Sequence, residues 1–183
     1  MLEAQKFEST HLWYFADFEI KQTDKDAFIL FEGIDTAGEI YIDGMGFAFC
    51  ENMLIPYEFS LEGLSVGKHE ILVHIIPASV YTRDIPLDPK CRGLKYNLDS
   101  LLIRKAPYMY GWDIMPRIVS GGLWKPVSIV YKNKSRIKDY RLSPTKIFEN
   151  EAELTLDISF TTQEDDLREF SVGLMFFCFM LRP

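Results

Sequence analysis

The fold class of this chain is decided by the segment Glu39-Ile40-Tyr41-Ile42-Asp43-Gly44 and its continuation to Cys50. Apolar and polar side chains alternate in its first part, which is the period-two pattern of a strand with one buried face. Asp43-Gly44 signals a two-residue hairpin turn, because both residue types tolerate a positive φ angle. Gly46 to Cys50 is then predicted as the returning strand. The segment is therefore expected to form an antiparallel β-hairpin.

Strand patterns continue on both sides of this hairpin. Leu12 to Ile20 is aromatic and partly alternating, whereas Ala27 to Ile34 and His69 to Ile76 are apolar runs typical of central strands. Shorter strand patterns cover Tyr57–Leu61 and Gly122–Tyr131. Short strands separated by Gly and Pro turns predict an all-β sandwich.

Residues 77–100 interrupt this pattern, because prolines and charged side chains replace the alternation. They predict a long exposed loop with a short helical turn near Leu98–Leu101, and no other helix is predicted. Loops of this length inside compact domains are more often functional than accidental.

A polar break at Lys132-Asn133-Lys134-Ser135 predicts a domain boundary, with one domain over residues 1–134 and a second over residues 135–183. The second part offers strand patterns at Arg136–Leu142, Glu151–Phe160 and Phe170–Met180. A sandwich of the immunoglobulin kind needs about seven strands, so we expect an incomplete second domain. The last strand would present an unpaired edge, through which a homodimer is one expectation.

The charge balance argues against nucleic acid as a partner. The chain has 183 residues, with 20 basic against 27 acidic side chains and a formal net charge of −7, so no excess of cations is available to neutralise phosphates. No apolar run reaches the length that spans a bilayer, and the first residues lack the layout of a signal peptide. No membrane partner is expected, and the compartment is left open.

The cysteines and histidines do not form a recognisable metal or redox motif. Cys50, Cys91 and Cys178 lack the spacing of a zinc site, so buried free thiols are expected, with one disulfide as the alternative. His69 and His74 lie five residues apart on a predicted strand and would point to opposite faces. Both are expected to be structural, and no metal and no cofactor are predicted.

The stretch from Arg104 to Arg117 combines aromatic, cationic and acidic side chains in 14 residues. Proteins bind sugars with such groups, because the apolar faces of sugar rings stack on Trp or Tyr and carboxylates accept paired hydroxyl hydrogen bonds. An aromatic hairpin buried in the sandwich explains the same residues. The residues alone favour this simpler interpretation.

Four motifs resemble, in the right order, those of glycoside hydrolase family 2 and in particular of its β-mannosidase branch. They lie at Phe31–Gly44, at Asn52–Phe59, at Arg104–Tyr108 together with Gly111–Asp113, and at Gly121–Val127. A series of four ordered motifs is much more specific than any one of them.

The resemblance implies a jelly-roll, galactose-binding-like β-sandwich over residues 1–134 and the start of an immunoglobulin-like domain over residues 135–183. In the family a catalytic (β/α)₈ barrel follows and carries the two catalytic glutamates. A barrel of this kind needs about 250 residues, so the chain cannot contain one. No catalytic residue is therefore assigned, and the chain alone is predicted to be inactive.

The resemblance also names the candidate substrate-binding residues. The family's Trp-Asp element reaches the mouth of the barrel and helps to form the pocket for a terminal mannose, and Trp112 and Asp113 match it. Asp113 is expected to accept hydrogen bonds from the sugar, Trp112 to wall the pocket, and Arg104 to contact the sugar or orient Asp113. The family's next two residues, Trp and Gly, are replaced by Ile114 and Met115.

Three functions stay open at this point. The chain is a non-catalytic part of a glycosidase that completes a sugar subsite with its own barrel, a stand-alone carbohydrate-binding module, or a purely structural sandwich. A free module should bind sugar by itself, whereas half of a pocket should bind very weakly. The structural interpretation expects Trp112 and Asp113 to pack inward or to face no cleft.

Overall fold

A computed structural model describes residues 4–90, 97–149, 151–168, 170–173 and 175 of the chain. The chain divides into two units, Met1–Lys132 and Asn133–Pro183. This division lies two residues before the boundary given by the sequence, and the two domain assignments stay predictions.

The described part of the first unit is built mainly from antiparallel strands. They are β1 (Leu12–Ile20), β2 (Asp26–Phe31), β3 (Ile34–Asp35), β4 (Ala37–Ile42), β5 (Met45–Cys50), β6 (Tyr57–Ser60), β7 (Gly67–Ile76), β8 (Gly122–Leu123) and β9 (Val127–Lys132). They form a four-stranded sheet in the order β1-β7-β4-β5, a three-stranded sheet β6-β2-β9 and a short β3-β8 pair. The predicted all-β class is confirmed.

The β4–β5 hairpin forms at the predicted place. Its turn residues Asp43 and Gly44 have φ angles of 52° and 76°, as a two-residue turn with both centres left-handed requires. The Asp43 carboxylate also accepts hydrogen bonds from the Glu70 amide at 2.9 Å and from His69 Nδ1 at 2.6 Å. The turn is therefore fastened to β7, the central neighbour of β4.

The core joins buried side chains of the two larger sheets. In β7, Ile71, Val73 and Ile75 are buried at every second position, as the alternation of a half-buried strand requires. They pack in one cluster with residues of the other strands, among them Ile29, Phe31, Ile40 and Cys50. Cys50 is a buried free thiol, as predicted, and burial raises its pKa to about 12. Cys91 and Cys178 lie outside the described residues.

The loop of residues 77–100 contains more helix than the sequence predicted. A 3₁₀ helix over Leu98–Leu101 confirms the expected turn, but a single α-helical turn, α1 (Ala78–Tyr81), was not predicted. Four residues are too short to show a helical period. The turn is held instead by tertiary packing, because Ala78 is buried in one cluster with Ala37, Ile103 and Tyr110, and by the Thr82 hydroxyl donating to the Ala78 carbonyl at 2.8 Å.

The described part of the second unit is a two-stranded antiparallel sheet of β10 (Arg136–Ile147) and β11 (Ala152–Thr161). Both strands were predicted. Most of the strand predicted over Phe170–Met180 lies outside the described residues, and residues 170–173 and 175 form no strand. The immunoglobulin-like assignment and the homodimer through this edge therefore stay predictions. Among the described residues, no helix is long and apolar enough to cross a bilayer.

Candidate functional site

The loop that carries the predicted site residues leaves the sandwich beside Asn52. Arg104 forms an isolated parallel β-bridge with Asn52, and the Met53 amide donates to the Arg104 carbonyl at 2.9 Å. The backbone of Arg104 is fixed by these contacts, while its side chain is exposed. A 3₁₀ helix over Pro107–Tyr110 follows, and the loop ends at β8.

Both ends of this loop are fastened to one buried carboxylate, that of Asp35. The Lys105 ammonium donates to Asp35 Oδ1, and the Ser120 hydroxyl donates to Asp35 Oδ2 at 2.5 Å. Lys105 Nζ also lies 3.1 Å from Ser120 Oγ, and the Thr36 hydroxyl donates to Oδ1 at 2.5 Å. The Lys105 side chain is fully buried and Asp35 nearly so. Burial lowers the pKa of Lys105, and the hydrogen bond to Asp35 opposes this shift.

A second anchor holds the middle of the returning half of the loop. The Arg117 guanidinium donates to Glu8 Oε1 at 3.0 Å and to Asp99 Oδ2 at 2.9 Å. Burial lowers the pKa of Arg117, but the hydrogen bonds to these two carboxylates outweigh it, so the net shift is upward and the group stays charged. Arg117 also lies over the ring of Tyr110, 5.1 Å from its centroid. Arg117 is thus a structural cation.

The tip of the loop, residues 112–115, is a tight turn. The Trp112 amide donates to the Met115 carbonyl at 2.9 Å, and the Met115 amide donates back to Trp112 at 3.2 Å. Gly111 precedes the tip with a φ of 100°, a conformation that residues with a side chain rarely adopt. Below it, the Ile118 amide donates to the Met109 carbonyl at 3.0 Å. The tip therefore stands on a hydrogen-bonded stem.

The structure places the three predicted site residues in two different surroundings. Trp112 is 66% exposed at the tip, and its neighbour Asp113 is exposed as well. Arg104 lines a separate cleft, and within the described part of the chain no hydrogen bond or ion pair joins it to Asp113. The expectation that Arg104 orients Asp113 therefore stays a prediction.

The cleft beside Arg104 contains two polar residues that the sequence did not single out. It has a volume of about 620 Å³ and is lined, among others, by Glu51, Tyr81, Ser100 and Arg104. The Tyr81 hydroxyl donates to Glu51 Oε2 at 2.8 Å, and this hydrogen bond raises the pKa of Tyr81. Glu51 and Tyr81 belong to no motif and lie far from Arg104 in sequence, so no local signal could have found them.

The two strand histidines have hydrogen-bond partners in β4, in the β4–β5 turn and in the loop before β7. His69 lies between Asp43 and the Ser65 carbonyl, 2.8 Å from its Nε2, and His74 lies 2.9 Å from Glu39. In the described part of the chain, no group of three or more His, Cys, Asp or Glu side chains could hold a metal ion.

A family model described as glycosyl hydrolase 2 galactose-binding domain-like matches residues 1–125. Curated relatives include β-mannosidase B of Emericella nidulans, 30% identical over 113 residues that cover 58% of this chain and 13% of the relative. The β-mannosidase B of Thermothelomyces thermophilus is 29% identical over 119 residues, covering 62% of this chain and 14% of the relative. The chain thus spans about an eighth of the length of the curated relatives it matches.

Solved structures match a larger part of the chain. The β-D-mannosidase of Dictyoglomus thermophilum is 31% identical with a TM-score of 0.74, covering 89% of this chain and 21% of that one. A β-glycosidase of Bacteroides vulgatus is 22% identical with a TM-score of 0.55, covering 85% of this chain and 17% of that one. The second likeness concerns the fold alone.

Proposed function

Because this chain belongs to the family of glycosyl hydrolase 2 galactose-binding-like domains, we propose that it is a non-catalytic region of a β-mannosidase-like glycosidase whose loop tip completes the sugar subsite. The observation that carries this proposal is the position of Trp112 and Asp113. Both side chains are exposed on a loop that is held by hydrogen bonds to Asp35 and by the ion pairs of Arg117. The two β-mannosidase B relatives described above and the D. thermophilum enzyme carry the name β-mannosidase, and hydrolysis of β-mannosides is the activity we assign to the whole protein.

The chemistry of the tip suits a terminal sugar. The Asp113 carboxylate accepts two hydroxyl hydrogen bonds, and such charge-assisted bonds are about twice as strong as neutral ones. The Trp112 ring offers an apolar face to the C–H side of a pyranose. The anchors at Asp35 and Arg117 hold both groups in place before the sugar arrives, which reduces the entropy lost on binding.

The tip forms only one wall of a pocket. Trp112 is 66% exposed and Asp113 is exposed beside it, so the described residues leave both side chains uncovered, and the remaining walls of the pocket are assigned to another part of the protein. We assign them to a catalytic barrel on the same polypeptide, which would also supply the catalytic carboxylates. The chain alone is then expected to hydrolyse no glycoside.

A hybrid enzyme tests this proposal. Residues 1–132 replace the segment of the D. thermophilum enzyme that they match, and hydrolysis of a chromogenic β-mannoside is measured. A hydrogen bond to a charged group contributes about 1.5–3 kcal/mol, and 1.4 kcal/mol corresponds to tenfold. Asp113→Ala should therefore lower kcat/KM about 10- to 100-fold. Asp84→Ala, which removes an exposed carboxylate of the same unit, should leave it unchanged.

Equal kcat/KM for the Asp113→Ala and Asp84→Ala hybrids would overturn the proposal. If the hybrid does not fold, a smaller graft of residues 106–119 into the same enzyme carries the same comparison. The isolated chain provides the second test. Saturable binding of a mannoside that Asp113→Ala abolishes would show a self-sufficient binding module instead of a partial subsite.

A further inference from the structure

We propose that the cleft formed by Glu51, Tyr81 and Arg104 is a second ligand site, separate from the loop tip, which binds a neutral sugar on this chain alone. Its volume of about 620 Å³ lies within the roughly 300–1,000 Å³ of small-molecule sites. The choice of a sugar among polyhydroxylated ligands rests on the proposed function. The site itself rests on the geometry of the cleft.

Glu51 is a positioned acceptor. Its Oε2 receives the Tyr81 hydroxyl at 2.8 Å, and no hydrogen bond to Oε1 is found among the described residues. The Tyr81 ring packs 5.9 Å from the ring of Phe49, and its own helical turn is tied to the sandwich through Ala78. The carboxylate is thus held in one place, with one oxygen available to a ligand hydroxyl.

Arg104 supplies a donor from a fixed backbone position. Its backbone is bonded to Asn52 and Met53, but its guanidinium has no hydrogen bond or ion pair within the described part of the chain. Arg117 offers the contrast, because two carboxylates occupy its guanidinium. Of these two arginines in one loop, Arg117 holds the fold and Arg104 is available to a ligand.

The charges of the cleft favour a neutral ligand. Lys105 also lines it, but its ammonium is buried against Asp35 and is not available. Among the described residues that line the cleft, one carboxylate and one guanidinium remain, and their charges balance. A uronate or a phosphate would gain attraction from Arg104 but meet repulsion from Glu51. A neutral sugar can instead donate to Glu51 and accept from Arg104.

The rim of the cleft supplies apolar surface for the sugar ring. Leu54 and Leu101 line it and are 64% and 52% exposed, and Pro107 lies beside them. Polar groups that converge inside an apolar rim are the usual composition of a small-molecule site.

Amide chemical shifts of the isotopically labelled 183-residue chain test the proposal. The chain is titrated with methyl β-mannopyranoside and, separately, with glucuronate, each to about 0.1 M, at which a millimolar site is saturated. We expect saturable shifts at residues 100–105 with the mannoside and at least tenfold weaker binding of glucuronate. Glu51→Gln should weaken mannoside binding about tenfold, and Tyr81→Phe severalfold. Glu62→Gln, which changes an exposed carboxylate outside the cleft, should leave mannoside binding unchanged.

Three results would overturn the cleft as a neutral-sugar site. They are the absence of saturable shifts, shifts centred on residues 112–115 that Asp113→Asn abolishes, and binding of glucuronate as tight as that of the mannoside. The hybrid enzyme and its Asp113→Ala variant are independent of these results. Failure of the cleft can therefore be told apart from failure of the proposed function.

Discussion

The buried ion pair of Lys105 and Asp35 gives the sharpest test of how the loop is held. Lys105→Met keeps the length and the apolar stem of the side chain and removes only the ammonium. The Asp35 carboxylate would then stay 3% exposed without its cation. Breaking a buried pair by removing one partner costs about 3–5 kcal/mol, because an uncompensated charge is left behind. This is a large share of the roughly 5–15 kcal/mol that stabilises a typical domain.

The double variant Lys105→Met/Asp35→Asn separates the buried charge from the lost contact. It removes both charges, while the asparagine oxygen can still accept from Ser120. Replacing both members of a buried pair is often nearly neutral. The double variant should therefore recover about 2 kcal/mol or more relative to Lys105→Met, and the pair should show a coupling of that size in a double-mutant cycle.

The measurement is urea unfolding followed by the β-sheet circular dichroism band, with linear extrapolation to water. Lys132→Met is the matched control, because Lys132 pairs with Glu58 on the surface of the same unit. Surface pairs contribute about 0–1 kcal/mol. If Lys105→Met destabilises no more than Lys132→Met, or if the double variant is less stable than Lys105→Met, the reasoning is wrong.

Three further predictions concern single residues. Asp43 raises the pKa of His69 by accepting its hydrogen bond. The stability that this bond contributes through His69 is present below the unfolded pKa near 6.5 and is lost as the pH rises through the raised folded pKa. The same hydrogen bond lowers the pKa of Asp43. The stability contributed through Asp43 is present above its unfolded pKa of about 3.8 and is lost as the pH falls through the lowered folded pKa. Asp43→Asn should therefore lower the melting temperature more at about pH 5 than at about pH 9, and equal losses at both would contradict this. Gly111→Ala should destabilise the chain by about 1–3 kcal/mol in urea unfolding, because φ is 100° there, and an unchanged midpoint would show that the tip adapts. Burial raises the pKa of the Cys50 thiol to about 12, so an alkylating reagent should not label it until the chain unfolds. Mass spectrometry of the Cys50 peptide measures the labelling, and rapid labelling of the folded chain would contradict the prediction.

Local patterns were sufficient to predict most strands and the hairpin at Asp43-Gly44. Alternation and turn chemistry act over a few residues, so the sequence displays them directly. The helical turn Ala78–Tyr81 was missed because it is held by tertiary packing, in the buried cluster that Ala78 forms with Tyr110, and because four residues carry no period. The candidate site was likewise predictable only where a local sequence pattern was present. A motif resemblance identified Trp112, Asp113 and Arg104 as candidates, whereas their surroundings depend on contacts between distant segments.

The Lys105–Asp35 pair shows what such distant contacts add. The two residues are 70 positions apart, and no pattern in either segment indicates that a lysine ammonium will be buried. Lysine is almost never fully buried without a partner, so a sequence argument places it on the surface by default. Here the carboxylate that accepts it is itself buried at the end of β3, and only the fold brings the two together.

This pair also bears on why the loop is long. Lys105 and Ser120 reach one carboxylate, and their side-chain polar atoms lie 3.1 Å apart. Hairpin connections of about 2–5 residues are common, so the residues from 106 to 119 are more than a connection requires. They are arranged as a stem, a guanidinium anchor at Arg117 and a tip that leaves Trp112 66% and Ile114 90% exposed. In a purely structural sandwich, apolar side chains held in water on an anchored loop contribute no burial to the stability of the fold. The proposed function accounts for this arrangement, because another part of the protein would then cover the tip with a sugar between them.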